Sequence, residues 1–168
     1  MSIHWNDFLT ADFEAGTLTW KRRDRRHFMT ERAWKIWNIR FADKVAGYAH
    51  PDGYWQVSIL GKKYLSHRIL WEMAYGPIPT GMQVDHISQN KGNSALSNLR
   101  LATNQENSRN RGINTNNTSG AKGVHRLPNG RLMVWINDIF IGRFNAMEDA
   151  ISARRAAELK YHGEFAPQ

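Results

Sequence analysis

The sequence lacks cysteine altogether, so neither a disulfide bond nor a thiolate zinc site can form within it. It also lacks a long uninterrupted apolar run and a charged-then-apolar leader at its start. A membrane span needs about 18 or more apolar residues in sequence, so we expect neither a span nor a signal peptide. The absence of cysteine favours a cytoplasmic protein, although exported bacterial proteins without cysteine also exist.

Acidic residues are few: the 168-residue chain has 15 Asp and Glu against 23 Lys and Arg, a net charge of +8. Residues 107–137 contain five basic side chains and no acidic one, and "KRRDRR" at 21–26 has five against Asp24. A basic surface attracts polyanions, of which nucleic-acid phosphates are the commonest, although solubility alone can also explain it. Seven Trp, seven Phe and five Tyr can fill a core, so disorder is not expected.

The first 80 residues predict short strands and two helices. "EAGTLTW" indicates a hairpin with Gly16 in its turn, and three strands follow between residues 44 and 66. Ser66 is the predicted N-cap of the helix "HRILWEMAY", and we interpret His67 in its first turn as structural. Residues 21–44 mix arginines with tryptophans, which indicates either a helix with buried tryptophans or an arm laid along nucleic acid.

Residues 82–111 predict a strand, a long polar loop, a returning strand and a helix. "MQVDHI" and "LRLAT" have strand character, and Thr103 with Glu106 predicts a capping box for the helix. Asp85 and His86 then end the first strand. Neighbours on a regular strand point to opposite faces, so these two side chains can share one site only where the strand twists or ends.

The polar groups of this unit suit a hydrolytic reaction. His86 can take a proton from water, because an imidazole with an unperturbed pKa of about 6.5 titrates near neutral pH. Asp85 and Asn107 offer hard oxygen ligands for Mg²⁺, which retains much of its own water. Asn98 can both donate and accept, and so can brace the loop and hold His86. The alternative is that these side chains only satisfy the backbone of the loop.

The stretch "HRILWEMAYGPIPTGMQVDHISQNKGNSALSNLRLATNQENSRNR" resembles the HNH, or ββα-metal, nucleases, and in particular the phage and intron-encoded homing endonucleases. His86, Asn98 and Asn107 stand at the three positions that name the family. The resemblance implies single-metal phosphodiester hydrolysis, with His86 as base, Asp85 and Asn107 as metal ligands and Asn98 as a positioning residue. Many relatives have His where this chain has Asn107, so its oxygen-rich site favours Mg²⁺ or Mn²⁺, and no zinc is expected.

Residues 119–168 predict a second domain of three strands and one helix. The strands are "KGVHRL", "GRLMVWIN" and "IFIGRF", and Asn145 with Glu148 predicts a capping box for an alanine-rich helix. Alternation along the middle strand predicts an inward face and a solvent face with an exposed tryptophan. The inward residues are Leu132, Val134 and Ile136, and the outward ones are Arg131, Met133, Trp135 and Asn137.

This second stretch resembles the plant ethylene-response-factor DNA-binding domain over most of residues 119–166. The Gly-Val start, the Ile-Gly-x-Phe strand and the alanine-rich helix carry the resemblance. It implies a sheet laid in the major groove, whereas the target sequence does not carry over because several contact positions differ. The predicted DNA contacts here are Lys122, His125, Arg126, Arg131, Trp135, Asn137 and Arg143. Elsewhere they are Arg22, Arg23, Arg25, Arg26, Arg109 and Arg111.

Taken together, the sequence predicts an α+β protein of two domains. An HNH nuclease domain occupies residues 1–107 with antiparallel strands, a basic polar linker 108–118, and a DNA-binding domain of three antiparallel strands and one helix 119–168.

The predicted function is a site-specific, divalent-metal-dependent DNA endonuclease of the homing type, encoded by a phage and acting in the host cell. The predicted partner is double-stranded DNA, and no association with a membrane is expected. We expect a monomer that makes single-strand nicks, with a dimer as the alternative. A restriction or repair nuclease is one alternative. A DNA-binding regulator without catalysis is another, but it would not need Asp85, His86 and Asn107 together.

Overall fold

A computed structural model describes residues 3–110, 113 and 116–166, apart from the side chain of Glu164. The chain divides into two compact units, with the division between Ala102 and Thr103. The predicted α+β class is confirmed, since helices accompany antiparallel sheets. Within the described residues, no helix has both the length and the apolar character needed to cross a membrane.

The first unit opens with the predicted hairpin. β1 (Leu9–Asp12) pairs antiparallel with β2 (Thr17–Trp20), and Gly16 takes a φ of 66° in the turn. A Cβ on Gly16 would lie 2.2 Å from the backbone nitrogen of Ala95, so the close approach requires glycine. The hairpin turn therefore packs directly against the loop that leads out of the polar stretch.

The segment between residues 21 and 44 is helical rather than an extended arm. α1 (Glu31–Phe41) begins after Thr30, whose hydroxyl accepts a hydrogen bond from the Ala33 amide at 3.1 Å. Trp34 and Trp37 are half-buried, as the helix interpretation predicts. The outer face of the helix stays exposed.

A three-stranded antiparallel sheet follows, made of β3 (Tyr48–Ala49), β4 (Trp55–Ile59) and β5 (Lys62–Leu65). It packs with α2 (Ser66–Tyr75) around the core of the unit. The fully buried members of this core come from the hairpin, the sheet, the helix and the segment before β3: Leu9, Leu18, Ala46, Val57, Ile59, Ile69 and Leu70.

The prediction that Ser66 caps α2 is wrong by one position. Leu65 occupies the cap and Ser66 is already the first helical residue. The buried Ser66 hydroxyl makes no hydrogen bond, so it does not satisfy the start of the helix. Gly76 ends α2 as predicted, with a φ of 87°.

The polar stretch folds into the predicted β-β-α order. β6 (Met82–His86) pairs with β7 (Leu99–Thr103), and α3 (Asn104–Asn110) follows directly. The capping box is confirmed: the Thr103 amide donates to Glu106 Oε2 at 2.8 Å, and the Glu106 amide donates to Thr103 Oγ1 at 3.3 Å.

The second unit contains α3 and a sheet in the order β10-β9-β8. Its strands are β8 (Val124–Arg126), β9 (Leu132–Ile136) and β10 (Ile139–Phe144), and α4 (Met147–His162) packs on the sheet. Leu132, Val134 and Ile136 are at most 1% exposed, which confirms the inward face of β9. Ala150 and Ala157 are buried where α4 faces the strands.

Two local predictions in this unit are wrong. Ala146 precedes α4 without any side-chain cap, so Asn145 and Glu148 form no capping box. Trp135 is half-buried rather than exposed, because Phe140 stands opposite it on β10 with the ring centroids 5.2 Å apart. The aromatic side chain of the outer face is thus partly covered by its cross-strand neighbour.

Candidate active site

Asp85 lies one residue before the end of β6 and is buried in an ion pair. Its Oδ2 accepts a hydrogen bond from Arg100 Nε at 3.0 Å, and Arg100 Nη2 lies at ion-pair distance from the same oxygen, also 3.0 Å. The Ile87 amide donates to the Asn98 carbonyl at 2.8 Å, and this register brings Asp85 opposite Arg100 on β7. The carboxylate is therefore fixed in place by the partner strand of its own hairpin.

His86, the last residue of β6, is enclosed by aromatic rings. Its imidazole is 4% exposed and meets the His67 ring edge to face, with centroids 4.6 Å apart and planes at 68°. Tyr54 stands beside both rings, 5.9 Å from His86 and 5.4 Å from His67. Three separate segments, the turn before β4, the first turn of α2 and the end of β6, thus build one ring cluster.

Asp85 and His86 have different neighbours, as adjacent residues on a strand should. The carboxylate meets Arg100 on β7, whereas the imidazole meets His67 on α2. β6 does end at His86, as the sequence predicts.

Burial lowers the pKa of His86 below its ordinary value, with Lys91 adding to this direction and Asp85 opposing it. The imidazole is therefore neutral at neutral pH and able to accept a proton. Burial also lowers the pKa of His67 to about 3, and Coulombic repulsion from Arg68, and from His86 in its protonated form, acts in the same direction. His67 is accordingly a neutral ring throughout the physiological range.

Asn98 is buried and braces the polar loop at two points. Its Oδ1 accepts from the Ser88 amide at 3.0 Å, and its Nδ2 donates to the Asn93 carbonyl at 2.7 Å. Because residue 88 lies two positions after His86, this brace fixes the backbone immediately beyond the imidazole. The arrangement is the one that a positioning role needs, and the role itself stays a prediction.

Asn107 lies on α3, in the second unit, and is half-buried. The Thr103–Glu106 capping box fixes the start of its helix. Asp85, His86 and Asn98 belong to the first unit.

The chemistry of the ligand atoms in the two predicted metal ligands indicates which metal ion suits them. No group of three or more His, Asp or Glu within the described part of the chain is arranged to hold a metal ion. The two predicted ligands, Asp85 and Asn107, are a carboxylate and a carboxamide, which are hard donors. They fit Mg²⁺ or Mn²⁺, which bind few protein ligands and keep several waters.

The predicted DNA contacts near the N-terminus differ in their surroundings. Arg22, Arg25 and Arg26 are exposed, whereas Arg23 is half-buried. The Arg23 guanidinium lies over the rings of Phe8, Trp20 and Trp37, at 5.4, 4.9 and 4.1 Å from their centroids. The guanidinium of Arg23 therefore makes cation–π contacts within this unit.

The predicted DNA contacts of the second unit are spread over two sheet faces. His125 and Arg143 stand opposite Met133 from either side, so they share the outer face of β9 with Trp135. Arg126 stands opposite the buried Leu132, on the helix side, although its side chain is exposed at the strand end.

The remaining predicted contacts have varied surroundings. Arg131 and Asn137 are exposed at the ends of β9. Lys122 Nζ donates to the Arg109 carbonyl at 2.8 Å, which joins α3 to the start of the sheet, and the Arg109 side chain is half-buried. Arg111 lies outside the described residues.

Sequence reasoning missed Arg100 and Tyr54, and weighed His67 only as a structural residue. Arg100 could have been predicted by aligning the two strands of the hairpin, because that alignment sets its cationic side chain opposite the carboxylate of Asp85. Tyr54 lies more than 30 positions before His86, and no local pattern joins the two.

Comparison with known proteins gives the class of this segment. Residues 64–109, from β5 through most of α3, match the family model described as HNH endonuclease. Protein 3.8 of Escherichia phage T7 is 53% identical over 58 residues, which are 34% of this chain and 48% of that protein. The uncharacterized HNH endonuclease L560 of Acanthamoeba polyphaga mimivirus is 41% identical over 85 residues, 50% of this chain and 43% of that protein.

The chain spans less than half the length of these relatives. Among solved structures it is similar to the HNH homing endonuclease I-HmuI, with 18% identity and a TM-score of 0.40 over 89% of this chain and 82% of that one. These matches do not show the resemblance of residues 119–166 to the plant domain, which stays an expectation.

The low pKa of His67 predicts a pH dependence of stability. Unfolded His67 binds a proton below about pH 6.5, whereas the folded side chain stays neutral down to about 3. Above pH 6.5 His67 is neutral in both the folded and the unfolded state, so it leaves the unfolding free energy unchanged. As the pH falls from 6.5 towards 3, the unfolded state alone gains the proton, and the unfolding free energy decreases. Between pH 7.5 and pH 5, His67 should remove roughly 2 kcal/mol of unfolding free energy, measured by urea denaturation.

The His67→Phe variant should lose that component and show a smaller decrease than the wild type. Ile69→Val, a change in the same helix, should lower stability about equally at both pH values. An identical pH dependence in His67→Phe and the wild type would contradict the prediction.

Proposed function

We propose that this chain is a divalent-metal-dependent DNA endonuclease of the HNH type, which hydrolyses a phosphodiester bond. The observation that carries the proposal is the match of residues 64–109 to the HNH endonuclease family model. The buried Asp85–His86 pair at the end of β6 and the brace at Asn98 lie within that segment. HNH nucleases depend on a metal, and the donor types here favour Mg²⁺ or Mn²⁺.

In the proposed reaction, neutral His86 takes a proton from the water that attacks the scissile phosphorus. Asn98 holds the loop beyond His86, and Arg100 holds the carboxylate of Asp85. Asp85 and Asn107 are the residues that would hold the metal. Once bound, the metal would supply charge stabilisation for the phosphate and for the departing 3′ oxygen.

The outer face of the second sheet is proposed to position the enzyme on DNA. His125, Met133 and Arg143 form a row across three strands, beside the half-buried Trp135. A sheet face of this kind can enter a major groove, where cationic side chains meet phosphates. One catalytic centre per chain then makes one nick per event, and the homing role is an extension of this proposal.

The central test is cleavage of supercoiled plasmid or phage DNA with Mg²⁺, with Mn²⁺ and with EDTA. The wild type should convert supercoiled DNA to open circles with either metal, and EDTA should stop the reaction. His86→Ala should bind DNA normally and nick at least about 100-fold more slowly, because general base catalysis contributes factors of this order.

The matched control is His4→Ala, which removes an exposed histidine from the same unit. It should nick at the wild-type rate. Tight DNA binding without metal-dependent breakage of any DNA would instead support the regulator, and full activity in His86→Ala would show that another group is the base.

A second test concerns DNA binding by the outer sheet face. Arg143→Ala should weaken binding to duplex DNA several-fold in EDTA, and should reduce the slope of log Kd against log salt by about 1. Arg155→Ala removes the same charge from an exposed position on α4 and should change neither quantity. Equal effects of the two substitutions would show that only the overall charge matters.

A further inference from the structure

His67 is a buried histidine that the proposed hydrolysis does not use. It lies in the first turn of α2, 4% exposed, and its closest described ring neighbour is His86. The edge-to-face geometry, with 4.6 Å between centroids and 68° between planes, is a favourable arrangement for two neutral rings. A core histidine placed only to fill space would not need to meet the proposed base at this angle.

Tyr54 completes the enclosure of His86. It is tilted by 47° against the His86 ring and by 35° against the His67 ring, and Lys91 Nζ lies over the Tyr54 ring, 4.6 Å from its centroid. Lys91 is tied to the Asp52 carbonyl at 3.1 Å. The ring cluster is therefore anchored on both the α2 side and the turn before β4.

Rotation of the His86 ring about its χ2 angle would be harmful to a base. The nitrogen that receives the proton must point at the attacking water, and functional groups have to be held within about 10–20° of the productive geometry. The backbone of a strand does not by itself set the χ2 angle of a side chain. Packing by neighbouring rings can supply that restraint.

We propose that His67, together with Tyr54, is a positioning residue that fixes the plane of the His86 imidazole for proton transfer. This role rests on the proposed nuclease function. It requires the ring of His67 but not its nitrogens, because the contact with His86 is between ring edge and ring face. His67 touches neither the phosphate nor the metal in this account.

The test measures single-turnover nicking of plasmid DNA with Mg²⁺ by the full chain. His67→Ala should lower the rate constant about tenfold, since a lost ring pair is worth a factor of this order, while the Kd for DNA stays unchanged. His67→Phe keeps a ring at the same place and should restore most of the rate. Ile69→Ala, which damages the α2 core but leaves the His67 ring in place, should keep the wild-type rate below its melting temperature.

A spectroscopic readout separates ring positioning from general damage to the fold. The ¹³C–¹H signals of the His86 ring should shift in His67→Ala and stay near their wild-type positions in Ile69→Ala. His67→Phe should leave the His86 ring signals sharp, as expected for one fixed orientation.

Three results would overturn the positioning role. They are an unchanged rate in His67→Ala, a His67→Phe variant as slow as His67→Ala, and a loss in Ile69→Ala equal to that in His67→Ala. If the wild type nicks no DNA at all, the proposed function fails and this role fails with it. Normal nicking by both wild type and His67→Ala removes this role alone.

Discussion

The desolvation of His86 is the constraint on which the rest of the site depends. An imidazole at the end of β6 is enclosed by rings from two other segments, and burial keeps it neutral by lowering its pKa. A neutral ring can accept a proton, whereas a solvated one would be partly charged near its ordinary pKa. The enclosure needs β6, α2 and the turn before β4 to pack together, so the core of the first unit and the chemistry of the site are linked.

The hairpin of β6 and β7 adds the second requirement, a fixed carboxylate beside the proposed base. Its register places Asp85 opposite Arg100. The two hydrogen bonds of Asn98 hold the backbone of the polar loop next to the end of β6. A buried carboxylate without a cationic partner would be costly, so Arg100 makes the burial of Asp85 tolerable. The many asparagines of this stretch are therefore used by the loop as well as by the proposed reaction.

Local patterns in the sequence were sufficient to predict the β-β-α order, the turn at Gly16 and the capping box of Thr103 and Glu106. Each of these depends on residues close together in the chain. The Ser66 and Asn145 caps were wrong because a polar residue near a helix start fits several neighbouring positions equally well. Contacts between distant segments, such as His67 with His86 or Phe140 with Trp135, required the folded structure. Net charge also overstated the basic surface, since Arg23 lies against rings and Arg154 is buried with Glu158 and the Trp135 carbonyl.

The central claim is that a neutral imidazole at position 86 removes a proton from water during DNA cleavage. Chemical rescue tests it most directly: His86→Gly leaves a space where the ring stood, and imidazole in the buffer can occupy it. The account predicts that His86→Gly binds DNA but nicks it very slowly in Mg²⁺, and that added imidazole restores the rate in a concentration-dependent way. Nicking at the wild-type rate by His86→Gly without imidazole would contradict it.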